Sequence, residues 1–90
     1  MDSLTGHKEP PKVLDPAMKA LWYDYQGKWA LAHNLINDLS DQRSKMVHAY
    51  LHRKEGDQSN AEYWYRAAGK KPFTGSLEEE WKILTTELSD

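Results

Sequence analysis

Cysteine is absent from this 90-residue chain, which removes disulfide scaffolds, cysteine-based zinc sites and thiol catalysis together. Large aliphatic residues are scarce. Leu, Ile, Val and Phe number 15, about one sixth of the chain, below the ~20% at which disorder becomes a concern. An excess of one charge is also missing: 12 Lys and Arg face 14 Asp and Glu for a net of −2, so a generally basic nucleic-acid binder is not indicated. No run approaches the ~18 apolar residues of a membrane span, and residues 1–14 lack the basic start and apolar stretch of a signal peptide. A soluble cytoplasmic protein with no membrane partner is therefore expected. Gly-x-Ser-x-Gly elbows, phosphate-cradling glycine loops and Asp-rich calcium loops are missing as well. The sequence accordingly assigns no catalytic residue and no cofactor.

Aromatics make up for the missing aliphatics. Four Trp and five Tyr, each able to bury on the order of 150–250 Å², combine with low net charge to favour a folded chain. Ninety residues suffice for one small domain. Gly6, Pro10 and Pro11 mark residues 1–13 as a mobile arm, which leaves 14–90 as a single helical domain.

Five helices are legible. Asp15-Pro16 offers a capping oxygen followed by a ring that needs no donor, and Met18, Leu21, Trp22 and Tyr25 then repeat at helical spacing as far as Gly27. A second helix is expected over 28–39, with Trp29, Ala32, Leu35, Ile36 and Leu39 on one stripe. A third runs over 43–55 with Val47, Tyr50 and Leu51 inward, and stops at Gly56. The fourth, capped by Asp57 or Ser59, carries Ala61, Trp64, Tyr65 and Ala68 to Gly69. Residues 70–75 form a loop with Phe73 as a lone apolar plug. Ser76 with Glu79 then makes a capping box for a fifth helix bearing Leu77, Trp81, Leu84 and Leu88. Nothing alternates with period two, so the fold class is all-α. Trp81 and Leu84 are expected to cover the exposed side of the second helical pair.

A shift of 29 residues superposes Gly27 on Gly56, Ala20 on Ala49 and Ala32 on Ala61, and aligns the apolar positions around them. Each unit reads as helix, glycine turn, helix. Ala20, Tyr23, Gly27, Ala32 and Ile36 in one copy, and Ala49, His52, Gly56, Ala61, Tyr65 and Ala68 in the other, give a pattern that resembles the tetratricopeptide repeat. Here the unit is shorter than the usual ~34 residues, with Pro16 and Lys45 where that family carries Trp. The ending Ala61, Trp64, Tyr65, Ala67, Ala68, Gly69 also resembles short helical repeats of the same plan. At closer range, residues 48–70 (HAYLHRKEGDQSNAEYWYRAAGK) resemble a group of small bacterial proteins sharing that signature, a likeness that implies no activity.

The tetratricopeptide resemblance implies a concave groove lined by the first helix of each pair. It places Leu14, Ala17, Leu21, Asp24 and Tyr25 there from one copy, and Arg43, Met46, Tyr50, Arg53 and Lys54 from the other. Residues 40–72 carry a net charge of +3 and residues 76–90 a net −4. The groove thus suits a protein or acidic peptide gripped by Tyr25, Arg43, Met46, Tyr50, Arg53 and Lys54, although Val47 and Tyr50 stand where the family's carboxylate clamp uses polar residues. The bland alternative is that these cations solvate the surface or pair with the acidic fifth helix. Nucleic acid is disfavoured because the aromatics lie on packing stripes.

A different class of reading starts from histidine. His48 and His52 are four apart on one helix, and His33 on the preceding helix can join them as a third nitrogen ligand for zinc, in a small metal protein or enzyme. Against it, the repeat register turns His52 inward, where a ring packs and donates one hydrogen bond, and such pairs are common on exposed flanks. Glu55 with Asp57 reads as helix-end solvation and capping. Self-association as a homodimer is a third reading, since two repeats leave an end face uncovered.

Overall fold

The structure, a computed structural model, describes residues 15–88. The arm expected over residues 1–13 and the groove position Leu14 lie outside the described residues. Five helices follow in order: α1 (Pro16–Tyr25), α2 (Trp29–Ile36), α3 (Gln42–Lys54), α4 (Gln58–Ala67) and α5 (Leu77–Leu88). Among the described residues there is no strand, and no helix is long and apolar enough to cross a membrane.

Local chemistry sets most helix ends. Asp15 Oδ1 accepts from the Met18 amide at 3.0 Å, Asp41 Oδ2 from Ser44 at 3.1 Å and Asp57 Oδ1 from Asn60 at 3.3 Å. Each satisfies one of the amides that a helix start leaves without a partner. The capping box forms as expected, with Ser76 Oγ accepting from the Glu79 amide at 3.0 Å and Glu79 Oε1 from the Ser76 amide at 2.9 Å. Three Glu in that first turn oppose the helix dipole. α2 is shorter than its stripe suggests. It stops at Ile36 rather than Leu39, because Asn37 and Asp38 favour turns over helix, and the Leu39 amide closes a tight turn on Ile36 O at 3.1 Å. Leu39 still packs on the core from that turn.

Gly27 and Gly56 end α1 and α3 in the same way. Both adopt left-handed φ, 80° and 89°, and the amide that follows each reaches back five residues, Lys28 to Tyr23 O and Asp57 to His52 O, both at 2.9 Å. A Cβ on Gly56 would meet nothing within 4 Å, so only backbone strain opposes a side chain there. Gly56→Ala is expected to lower the urea midpoint by the equivalent of about 1 kcal/mol with no change in slope.

α1 packs along α2 and α3 along α4, an arrangement compatible with two helical hairpins, and α3 touches every other helix. The main core gathers Leu21, Trp22, Ile36, Val47, Tyr50 and Leu51 with Trp81, Leu84 and Leu88 of α5. A smaller cluster holds Ala49, Ala61 and Tyr65, with Trp64 and Phe73 against it, so Phe73 does plug the loop. Trp81 and Leu84 cover the first pair as well as the second. α5 lies on α1 and α3, where Trp81 Nε1 donates to Leu21 O at 3.1 Å and its ring sits 5.0 Å from that of Tyr25.

Candidate functional site

The proposed groove residues share one face of α1 and α3, and α5 runs along that face. Tyr50 is buried, and its hydroxyl donates to Asp24 Oδ2 at 2.6 Å. Lys54 Nζ donates to Asp24 Oδ1 at 2.8 Å, so one buried carboxylate joins two groove residues. Burial, and then the hydrogen bond to Asp24, push the Tyr50 pKa up, so the hydroxyl stays a donor at any ordinary pH. Arg53 Nη1 donates to Glu80 Oε1 of α5 at 2.7 Å and Nη2 to Gly75 O, while its guanidinium carbon lies 5.5 Å from the Phe73 ring centre. Tyr65 donates its hydroxyl to the other oxygen of Glu80. Burial and that bond hold the Tyr65 pKa above its usual value.

The rim is looser. Arg43 Nε donates to Asp15 Oδ2 at 2.6 Å and Nη2 to Leu88 O at the end of α5. Met46 packs partly buried on the core. Tyr25 is 54% exposed and borders an open cleft of about 340 Å³ lined also by Asp24, Tyr50, Lys54, Leu77 and Trp81. All six residues expected to grip a partner are thus brought to one face. Five of them, Tyr25, Arg43, Met46, Tyr50 and Arg53, touch α5 or the core it completes. The opposite charges of residues 40–72 and 76–90 meet at Arg53 and Glu80. Sequence reasoning missed Glu80 and Tyr65. The signal for Glu80 is its position, three after Leu77 and four before Leu84, on the apolar stripe of α5 rather than among its solvated acids.

On the flank of α3 turned away from α5, the three histidines converge. His33 projects from α2, and His48 and His52 from α3. The His33 Nε2 to His48 Nε2 distance is 3.1 Å, and one ligand nitrogen from each of the three lies within 4.8 Å of the others. Their ring centres are 4.8 to 5.2 Å apart. The pair on α3 is not on an exposed flank: His48 is 2% exposed and His52 7%. The inward turn expected of His52 is present, and its Nδ1 meets Glu55 Oε2 at 2.7 Å. Two Trp rings bracket the cluster. Trp29 stacks on His33 at 4.9 Å and 9°, and Trp64 on His48 at 4.0 Å and 16°. Trp29 is itself pinned by its Nε1 donating to Leu51 O at 2.8 Å.

Burial, reinforced by His52 and His33, lowers the His48 pKa to about 4. Burial and then His52 lower that of His33, with Glu55 opposing. Both rings are therefore neutral at pH 7, and each keeps one nitrogen lone pair. His48 Nδ1 is the buried side-chain nitrogen left without a hydrogen bond among the described residues. Asp57 caps α4 as expected, whereas Glu55 serves His52 rather than only solvating a helix end. Compared with known proteins, the chain matches no family model, and no curated protein or solved structure is significantly similar to it.

Proposed function

We propose that the chain is a non-enzymatic helical module, tetratricopeptide-like in plan, whose α1/α3 groove receives an acidic amphipathic helix from a protein partner. The observation that supports this reading is the helix already in the groove. α5 presents Leu77, Trp81, Leu84 and Leu88 to apolar surface, and a single carboxylate, Glu80, to a guanidinium and a phenol. That is helix-in-groove recognition made within one chain, with a charge-assisted hydrogen bond fixing the register. A partner helix with an acid one residue before a large aromatic matches the same contacts. It takes the place of α5, which the irregular segment 70–76 joins to α4.

Tyr50 and Arg53 are too deeply built into the fold to report on binding, so the test varies the helix instead. A fluorescein-labelled peptide with the sequence of residues 76–90 is titrated with the full chain and with its Leu88→Ala variant, whose own α5 is loosened at its end. Saturable anisotropy is expected with both, and at least about tenfold tighter with the variant. A peptide carrying Glu80→Lys should bind neither. No response from either chain up to roughly 100 μM would show that the groove does not accept a helix in trans.

A further inference from the structure

We infer that His33, His48 and His52 form a binding site for one divalent transition-metal ion of the zinc class, at the seam of α2 and α3. The site is separate from the groove, and the inference does not depend on it.

Geometry carries the argument. Zinc held by imidazole nitrogens at ~2.0–2.1 Å in a tetrahedron sets those nitrogens ~3.3 Å apart. His33 Nε2 and His48 Nε2 are 3.1 Å apart, within a few tenths of an ångström of that edge. All three ligand nitrogens fall within 4.8 Å of one another, so a ring movement of roughly 1.5 Å brings the third to the same ~3.3 Å spacing. The two α3 ligands need no chain movement, because residues four apart on a helix stack on one side. Their rings already lie 4.8 Å apart and within 23° of parallel.

The surroundings match a ligand set better than a packed core. A metal-bound imidazole characteristically gives its other nitrogen to a carboxylate or carbonyl, which fixes the ring and its tautomer. Glu55 does this for His52: with Nδ1 on the carboxylate, Nε2 is the nitrogen left for the ion. Trp29 and Trp64 clamp the planes of His33 and His48 from outside, so those two rings cannot turn away from each other without breaking a stack. The facing Nε2 atoms share one proton in a hydrogen bond, and an ion takes both nitrogens once the donor ring carries its proton on Nδ1 instead. Imidazole donors favour Zn²⁺, Ni²⁺ or Cu²⁺ over Mg²⁺ or Ca²⁺, and three protein ligands leave a fourth position for water.

The test uses the full chain, purified without a histidine tag and stripped with EDTA. Titration with Zn²⁺ should show one ion bound per chain, with a Kd at or below the micromolar range, and a Tm that rises with the ion. Co²⁺ in its place should give the visible absorption of a tetrahedral site. Cu²⁺ should quench tryptophan fluorescence, because two of the four Trp rings stack on ligands. His33 is only partly buried, so His33→Ala should keep its helical circular dichroism while affinity drops at least a hundredfold. His7→Ala should change nothing. Absence of stoichiometric Zn²⁺ uptake by the wild-type chain, or uptake that survives His33→Ala at full affinity, would overturn the inference. Should His33→Ala fail to fold, wild-type stoichiometry and the Co²⁺ spectrum decide the matter alone.

Discussion

Ending the chain at Gly75 is expected to abolish its cooperative thermal transition. α5 is the last element in the sequence, but it completes the main core, in which Trp81, Leu84 and Leu88 are all buried. Fully burying an apolar side chain of that size contributes ~1.5–3 kcal/mol, so removing three forfeits roughly 5–9 kcal/mol. A domain of this length has a total stability of only about 5–13 kcal/mol. Polar losses add to the deficit. Without Glu80, the Arg53 guanidinium, 14% exposed over its side chain, loses its counter-charge, and the Tyr65 hydroxyl loses its acceptor. Breaking a buried pair from one side is itself strongly destabilising. Far-UV circular dichroism of the 1–75 fragment should show weak helicity that fades gradually on heating. A sharp transition would mean that α1 to α4 hold a sufficient core unaided, and α5 would then be an accessory helix.

That dependence on α5 was only half legible in the sequence. The starts of most helices rest on short-range chemistry that a sequence displays, as with Asp15 before Pro16 and Ser76 three before Glu79. The apolar stripe of α5 is equally visible. A stripe states which side of a helix seeks cover, however, and not which neighbour provides it, so α5 was expected on the second helical pair and in fact bridges α3 of that pair and α1 of the first. The premature end of α2 has a similar origin. Leu39 continues the period and does reach the core, but from a turn that Asn37 and Asp38 favour over helix.

The histidines divide along the same line. The spacing of His48 and His52 fixes their common side, and the inward turn of His52 follows from the repeat register. His33 is fifteen residues from His48, and only the way α2 crosses α3 brings their Nε2 atoms together. Glu55 shows how one residue can serve two readings: its place at the end of α3 suggests solvation, while its three-residue offset from His52 puts it on the ring. The six residues proposed to line a groove stand out as a set because the repeat register puts them on the first helix of each pair. Their occupant does not, since the acidic character of residues 76–90 fits a solvated helix as well as a clamped one.

Acid should weaken the metal-free chain as the pH falls from about 6.5 to about 4. In the unfolded chain a histidine takes up its proton near pH 6.5, whereas folded His48 does so only near pH 4, and folded His33 below its ordinary value. Between those limits the unfolded state binds more protons than the native state, so stability rises with pH and falls as acid is added. The contribution is fully present above about pH 6.5 and is lost progressively down to about pH 4. For His48 alone the full shift corresponds to about 3 kcal/mol, and His33 acts in the same direction. Urea midpoints measured in EDTA at pH 7, 5.5 and 4.5 should therefore decline together with the extrapolated stability, at constant slope. His48→Leu removes the largest titrating contribution and keeps an apolar body under Trp64, so its midpoint should vary much less with pH. An equally steep decline in that variant would assign the acid sensitivity to groups outside the cluster. Zn²⁺ extends the same linkage, because protons and the ion compete for the same nitrogens. With zinc bound, the decline should be steeper and should converge on the metal-free curve once the ion has been displaced.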